Sequence, residues 1–174
     1  MSGRILVAGL GNIFLGDDGF GVEAARRLGA MPLPDHVKVS DVGIRSLHLA
    51  YEMLEDYDTT ILVDTVSRGE PPGTVYVIEH EPEANLEPAT PSVDAHGMGP
   101  DAVLALLRTL GGTPANVLIV GCEPAEIEER IGLSETVLGA VDEAVEVILE
   151  LIAHEGRPSQ QPRDAVGASD KGRR

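Results

Sequence analysis

Carboxylates and one imidazole cluster at the ends of the apolar runs in this sequence. Asn12, Asp17 and Asp18 lie in GLGNIFLGDDGFG (residues 9–21), after Ile5–Ala8. Asp41 and Arg45 bracket a second turn, Asp64 closes ILVD, Asp94 and His96 lie in DAHGM, and Cys122 and Glu123 follow Val117–Val120. Gly11 to Gly16 has the G-x-x-x-x-G spacing of a phosphate loop, but Asp17 and Asp18 stand where such a loop keeps Lys and Ser or Thr. Two acids would repel a phosphate. A dinucleotide fingerprint starting at Gly9 fails as well, because Phe14 occupies its third glycine position. A cation suits the residues better. Asp18, Asp64 and His96 offer two carboxylate oxygens and one imidazole nitrogen, a donor set for a borderline divalent ion such as Ni²⁺, Zn²⁺ or Mn²⁺. Three ligands also leave coordination positions open for water or substrate. Asp64 carries the strongest signal, because an unpaired carboxylate directly after a buried apolar run is costly.

The elements that must position these residues alternate along the chain. Ile5–Ala8, Ile61–Val63 and Val117–Val120 are short, continuous and β-branched, as suits parallel strands covered on both faces. Val37–Val42 alternates like a half-exposed edge strand. Thr74–Glu79 is a fifth strand, and only SRGEPPG separates it from Ile61–Val66. A parallel crossover needs a dozen or more residues, so this pair is expected to be an antiparallel hairpin or close to one. Helices are expected at Gly19–Leu28, at Ser46–Leu54 with Leu47, Tyr51 and Leu54 on one face, at Asp101–Leu110, and at Ser134–His154. The last has Ser134 as N-cap and a buried stripe of Val137, Val141, Val145, Ile148 and Ile152. The order implies a three-layer α/β/α sandwich on a mostly parallel, twisted five-stranded sheet with one antiparallel hairpin strand. In such sheets ligands sit beyond the carboxyl ends of the strands, where the candidate residues fall.

The length of 174 residues suits one domain, expected over residues 1–155. The polar stretch 156–174 reads as a disordered tail. With 3% aromatic residues and no Trp, the core must be aliphatic. The formal charge of −16 argues against nucleic acid and anionic membranes as partners. The tail is net +3, so the body carries −19. A single cysteine and the lack of a long N-terminal apolar run point to the cytoplasm. The Pro-rich stretch 81–100 is long enough to be a functional loop.

Taken together, GLGNIFLGDDGFG, ILVDT (61–65), PPGTVYVIE (71–79), DAHGM (94–98) and VGCEP (120–124) resemble the hydrogenase maturation proteases over about residues 4–153. The resemblance implies a twisted, mostly parallel sheet flanked by helices. It implies an endopeptidase that removes the C-terminal extension of the nickel-loaded large-subunit precursor of a nickel–iron hydrogenase. Metal-binding and catalytic roles then fall on Asp18, Asp64 and His96. Many members carry Glu where this chain has the shorter Asp18. Nickel, carried by the substrate, would serve as recognition signal, as Lewis acid, or both, and Zn²⁺ could occupy the free enzyme. Asp18 or Asp64 could instead be the general base that activates water. Asn12, Gly43, Arg45 and Ser46 are expected to contact the extension, with turn and capping roles open to Gly43 and Ser46. Asp41, Asp94 and Glu123 are open between substrate contact and structure. Two rivals stay open: a cysteine peptidase built on Cys122 and His96, and a non-catalytic metal- or nucleotide-binding module.

Overall fold

The computed structural model describes residues 3–80 and 99–155. Its strands are β1 (Ile5–Leu10), β2 (Val37–Gly43), β3 (Thr59–Thr65), β4 (Val75–His80) and β5 (Asn116–Cys122). Its helices are α1 (Phe20–Gly29), α2 (Ser46–Glu52), α3 (Pro100–Thr109) and α4 (Glu135–Glu155), with one 3₁₀ turn at Gly16–Gly19. The sheet order is β2-β1-β3-β5-β4. The first three pairings are parallel, and β4 runs antiparallel to β5. The aliphatic runs form the central strands because both faces are covered. One face packs Ile5, Val7, Ile61 and Val63 against Phe20 and Leu28 of α1 and Val141 and Ile148 of α4. The other packs Leu6, Ala8 and Leu62 against Leu49 of α2 and Leu104 and Leu107 of α3. This is the expected three-layer sandwich. All five residues of the expected α4 stripe are buried, and the Ser134 hydroxyl accepts the Val137 amide at 3.4 Å as its cap. Among the described residues, no helix is long and apolar enough to cross a membrane.

One expectation is corrected. The antiparallel strand β4 does not form a hairpin with β3, because β5 lies between them. Val66 donates to the Cys122 carbonyl, and Gly73 donates to that of Glu123. The connecting segment thus crosses the end of β5 and reverses on its far side. Two inter-strand spacings come to only about 10 Å, a distance a short linker spans easily. The short connection therefore dictated direction and left the neighbour open. Leu47 and Tyr51 of α2, and Leu54 just beyond it, are exposed, Tyr51 by 56%. The helix is short and buries Leu49 and Ala50 instead.

Strand order reverses between β1 and β3, since β1 connects outward to β2 and the chain then returns to β3. The loop after β1 and the end of β3 therefore meet at the switch point, where open α/β sheets hold ligands.

Candidate functional site

The β1–α1 loop reaches this switch point through close backbone contacts. Gly11 has φ +127°, and a Cβ there would collide with the Asp18 carbonyl. Gly21, at the start of α1, sits against the carbonyls of Val63 and Leu10 with no room for a side chain. Glycine is needed at both positions, and the resulting close approach brings Asp18 to the end of β3.

Asp17 and Asp18 then part company. Asp17 is fully buried. Its Oδ2 accepts the amides of Ala125 and Glu126, both at 2.9 Å, and the Ser134 hydroxyl at 2.9 Å; its Oδ1 accepts the Ser134 amide at 2.6 Å. Burial would raise this carboxyl. The amides of Ser134 and Glu126, the Ser134 hydroxyl and the Ala125 amide outweigh it and hold the pKa below the ordinary value. Asp17 thus pins the loop to the segment between β5 and α4.

Asp18 turns the other way. Its Oδ2 accepts the Asn12 amide at 2.8 Å, and its Oδ1 accepts the Thr65 hydroxyl at 3.3 Å. Asp64, 6% exposed, accepts its neighbour's amide, Thr65 N–H, on Oδ1 at 2.8 Å. Among the described residues no donor reaches its Oδ2. That oxygen lies 3.6 Å from where a Cβ would stand on Gly99, the residue before α3. Burial pushes the Asp64 carboxyl up to about 7; the Thr65 hydrogen bond opposes the shift and the Asp18 charge adds to it.

The two acids expected to act together are thus brought together. Among the described residues no third His, Cys, Asp or Glu joins them in a metal-binding group. His96, like Asp94 and the 156–174 tail, lies outside the described residues. The pair itself suits a divalent cation: two carboxylates offer hard oxygen donors, and burial raises the pKa of one of them.

Beside the pair opens a cleft of about 370 Å³, lined by Gly11, Asn12, Phe14, Gly43, Ile44 and Arg45 among others. Three of the four expected substrate-contact residues line it. Gly43 has φ +62° and its carbonyl accepts the Gly11 amide at 3.1 Å. Arg45 folds back to donate to the carbonyls of Val42 and Asp41. Asn12 accepts the Phe14 amide on its side chain at 2.9 Å. Ser46 does not line the cleft. Its hydroxyl is buried without a partner among the described residues and makes no cap.

Asp41 pairs with Arg26 at 3.0 Å, and both line the cleft as well. Glu123 accepts the Arg68 and Gly69 amides and the Tyr76 hydroxyl, holding the β3–β4 connection. Cys122 is fully buried in the core layer under α4. Burial, with the charges of Asp17, Glu143 and Glu123, pushes its thiol up to about 11. A neutral, enclosed thiol is no nucleophile, which removes the observation behind a cysteine peptidase. Sequence reasoning missed Thr65. Its one signal was adjacency to Asp64.

A family model described as hydrogenase maturation protease matches residues 22–151. The chain is 34% identical over 165 residues to hydrogenase 2 maturation protease of Escherichia coli, covering 94% of this chain and 98% of that protein. It is 36% identical over 149 residues to a putative hydrogenase maturation protease of Methanocaldococcus jannaschii, covering 83% and 94%. In structure it is similar to the hydrogenase maturating endopeptidase HybD from Escherichia coli, with a TM-score of 0.73, 33% identity, and coverage of 88% of this chain and 94% of the other.

Proposed function

The chain belongs to the hydrogenase maturation protease family, and from that premise we propose that it removes the C-terminal extension of the nickel-loaded large-subunit precursor of a nickel–iron hydrogenase. The observation that carries this reading is the Asp18–Asp64 pair, in which Asp64 is 6% exposed and its Oδ2 meets no donor among the described residues. A divalent ion presented by the precursor supplies the positive charge that this oxygen lacks. Asp18 and Asp64 hold it through carboxylate oxygens, and His96, three residues before Gly99 in the sequence, is assigned as the third ligand. Zn²⁺ suits the same donors in the free enzyme.

The adjoining cleft receives the extension, with Asn12, Gly43 and Arg45 along its wall. Ser46 is not assigned to it. The substrate nickel supplies recognition and Lewis acidity at the scissile carbonyl. Asp64 suits the alternative task of general base, because a carboxyl titrating near 7 is matched to proton transfer near neutral pH.

The test mixes the purified protein with nickel-loaded and nickel-free precursor and weighs the products. Shortening of the loaded form alone is expected. Equal shortening of both forms overturns nickel as the signal, and shortening of neither overturns the substrate.

A further inference from the structure

We propose that Thr65 is a positioning residue that holds Asp18 and Asp64 as one pair facing a shared divalent cation. The proposal rests on the cation reading above and goes beyond it by naming what keeps the two acids in place. Thr65 closes β3, in register with Cys122 of β5, so its backbone is fixed by the sheet. From that anchor it donates twice. Its amide goes to Asp64 Oδ1 at 2.8 Å, and its hydroxyl goes to Asp18 Oδ1 at 3.3 Å. Among the described residues, no other residue donates to both carboxylates.

The two acids need such a tie. Like charges repel, and two carboxylates meet here on the donors of one residue. Asp64 is held by its own neighbour's amide and is 6% exposed. Asp18 is less constrained: apart from Thr65, only the Asn12 amide, on the other oxygen, holds its carboxylate among the described residues. Without the hydroxyl, Asp18 can rotate about that single contact and leave Asp64. A β-branched residue suits the task, since its χ1 is stiff and fixes where the hydroxyl points. Valine keeps shape, branching and backbone amide, so Thr65→Val removes the hydroxyl alone; Thr65→Ser returns it.

The test titrates Ni²⁺ and Zn²⁺ by calorimetry into the full chain as wild type, Thr65→Val, Thr65→Ser and Asp64→Asn, with a melting curve for each. Thr65→Val is expected to bind about tenfold or more weakly while melting close to wild type, and Thr65→Ser to recover to within about threefold. A Thr65→Val protein that matches wild type, whether both bind or neither does, overturns the positioning role. So does a Thr65→Ser protein as weak as Thr65→Val. Asp64→Asn binding like wild type overturns the cation reading instead.

Discussion

Asp17 meets four donors, while Asp64 meets one, although both are buried at the same end of one sheet. At Asp17 the protein supplies in advance everything an ionised carboxylate requires. The acid then works as a rivet between segments more than a hundred residues apart. At Asp64 the protein buries a carboxyl, places a second acid beside it and supplies little in return. That arrangement lowers stability, and it makes sense where the missing charge arrives with a ligand. Local stability given up at a working site is a familiar exchange. The contrast also explains why neighbouring acids in one loop divide so cleanly: Asp17 faces the β5–α4 segment and Asp18 faces Thr65.

The comparison can be broken most decisively at Asp64. Asp64→Asn is expected to lower processing of nickel-loaded precursor by about 10³-fold or more, equivalent to about 4 kcal/mol in the barrier. It is also expected to raise the melting temperature of the metal-free protein at pH 8. Processing at the wild-type rate would remove Asp64 from the site, and a lowered melting temperature would show that its surroundings favour the charge after all. Asp17→Asn should behave in the opposite way. The new amide would turn an NH₂ toward donors, leaving buried N–H groups unsatisfied at a cost of about 3 kcal/mol. In a chain of this size the midpoint should fall by roughly 6–12 °C. The remaining folded protein should process precursor normally below its melting range.

The two acids should also give opposite pH signatures. Asp64 binds its proton more tightly in the folded state, with a pKa of about 7 against 3.8. Between those values the native chain holds more protons than the unfolded one, so stability falls as pH rises and levels off above 7. The full span is about 4 kcal/mol at 1.36 kcal/mol per unit. Asp17 has a lowered folded pKa. Its contribution is complete above the unfolded value and disappears as pH falls through the folded one. Denaturant midpoints of wild type and Asp64→Asn across pH 4–8 should diverge with rising pH. Parallel curves would contradict the raised Asp64 value.

Much of this contrast could be read in the sequence, but its assignment could not. ILV followed by Asp marks a buried acid at a strand end, and the glycines before Asp17 and Asp18 mark a tight approach of loop to sheet. The aliphatic runs locate β1, β3 and β5, and the i, i+4 stripe locates α4. Nothing local separates Asp17 from Asp18. What separates them is hydrogen bonding to Ala125, Glu126 and Ser134 on one side and Thr65 on the other, contacts that exist only once distant segments meet. The same reason hid β5 between β3 and β4, since linker length constrains direction and reach but not which strand fills the gap. At α2, apolar periodicity shows which residues share a face and not which way that face turns.

Cys122 gives the smallest expected effect and the sharpest check on the structural side. It closes β5 three residues before Ala125, which Asp17 grips, and the Asp17 charge helps to keep its thiol neutral. If that side of the edge is purely structural, Cys122→Ala should process precursor at the wild-type rate. Losing one buried sulfur should cost about 1 kcal/mol, near the lower end for core truncations. A thiol-reactive disulfide reagent should leave the native protein unmodified and label it at once in denaturant, because only an exposed thiolate reacts readily. Rapid labelling of the native protein, together with loss of processing in Cys122→Ala, would move Cys122 to the reactive side and restore the cysteine peptidase. Slow labelling with normal processing leaves the Asp18–Asp64 pair as the reactive element at this edge.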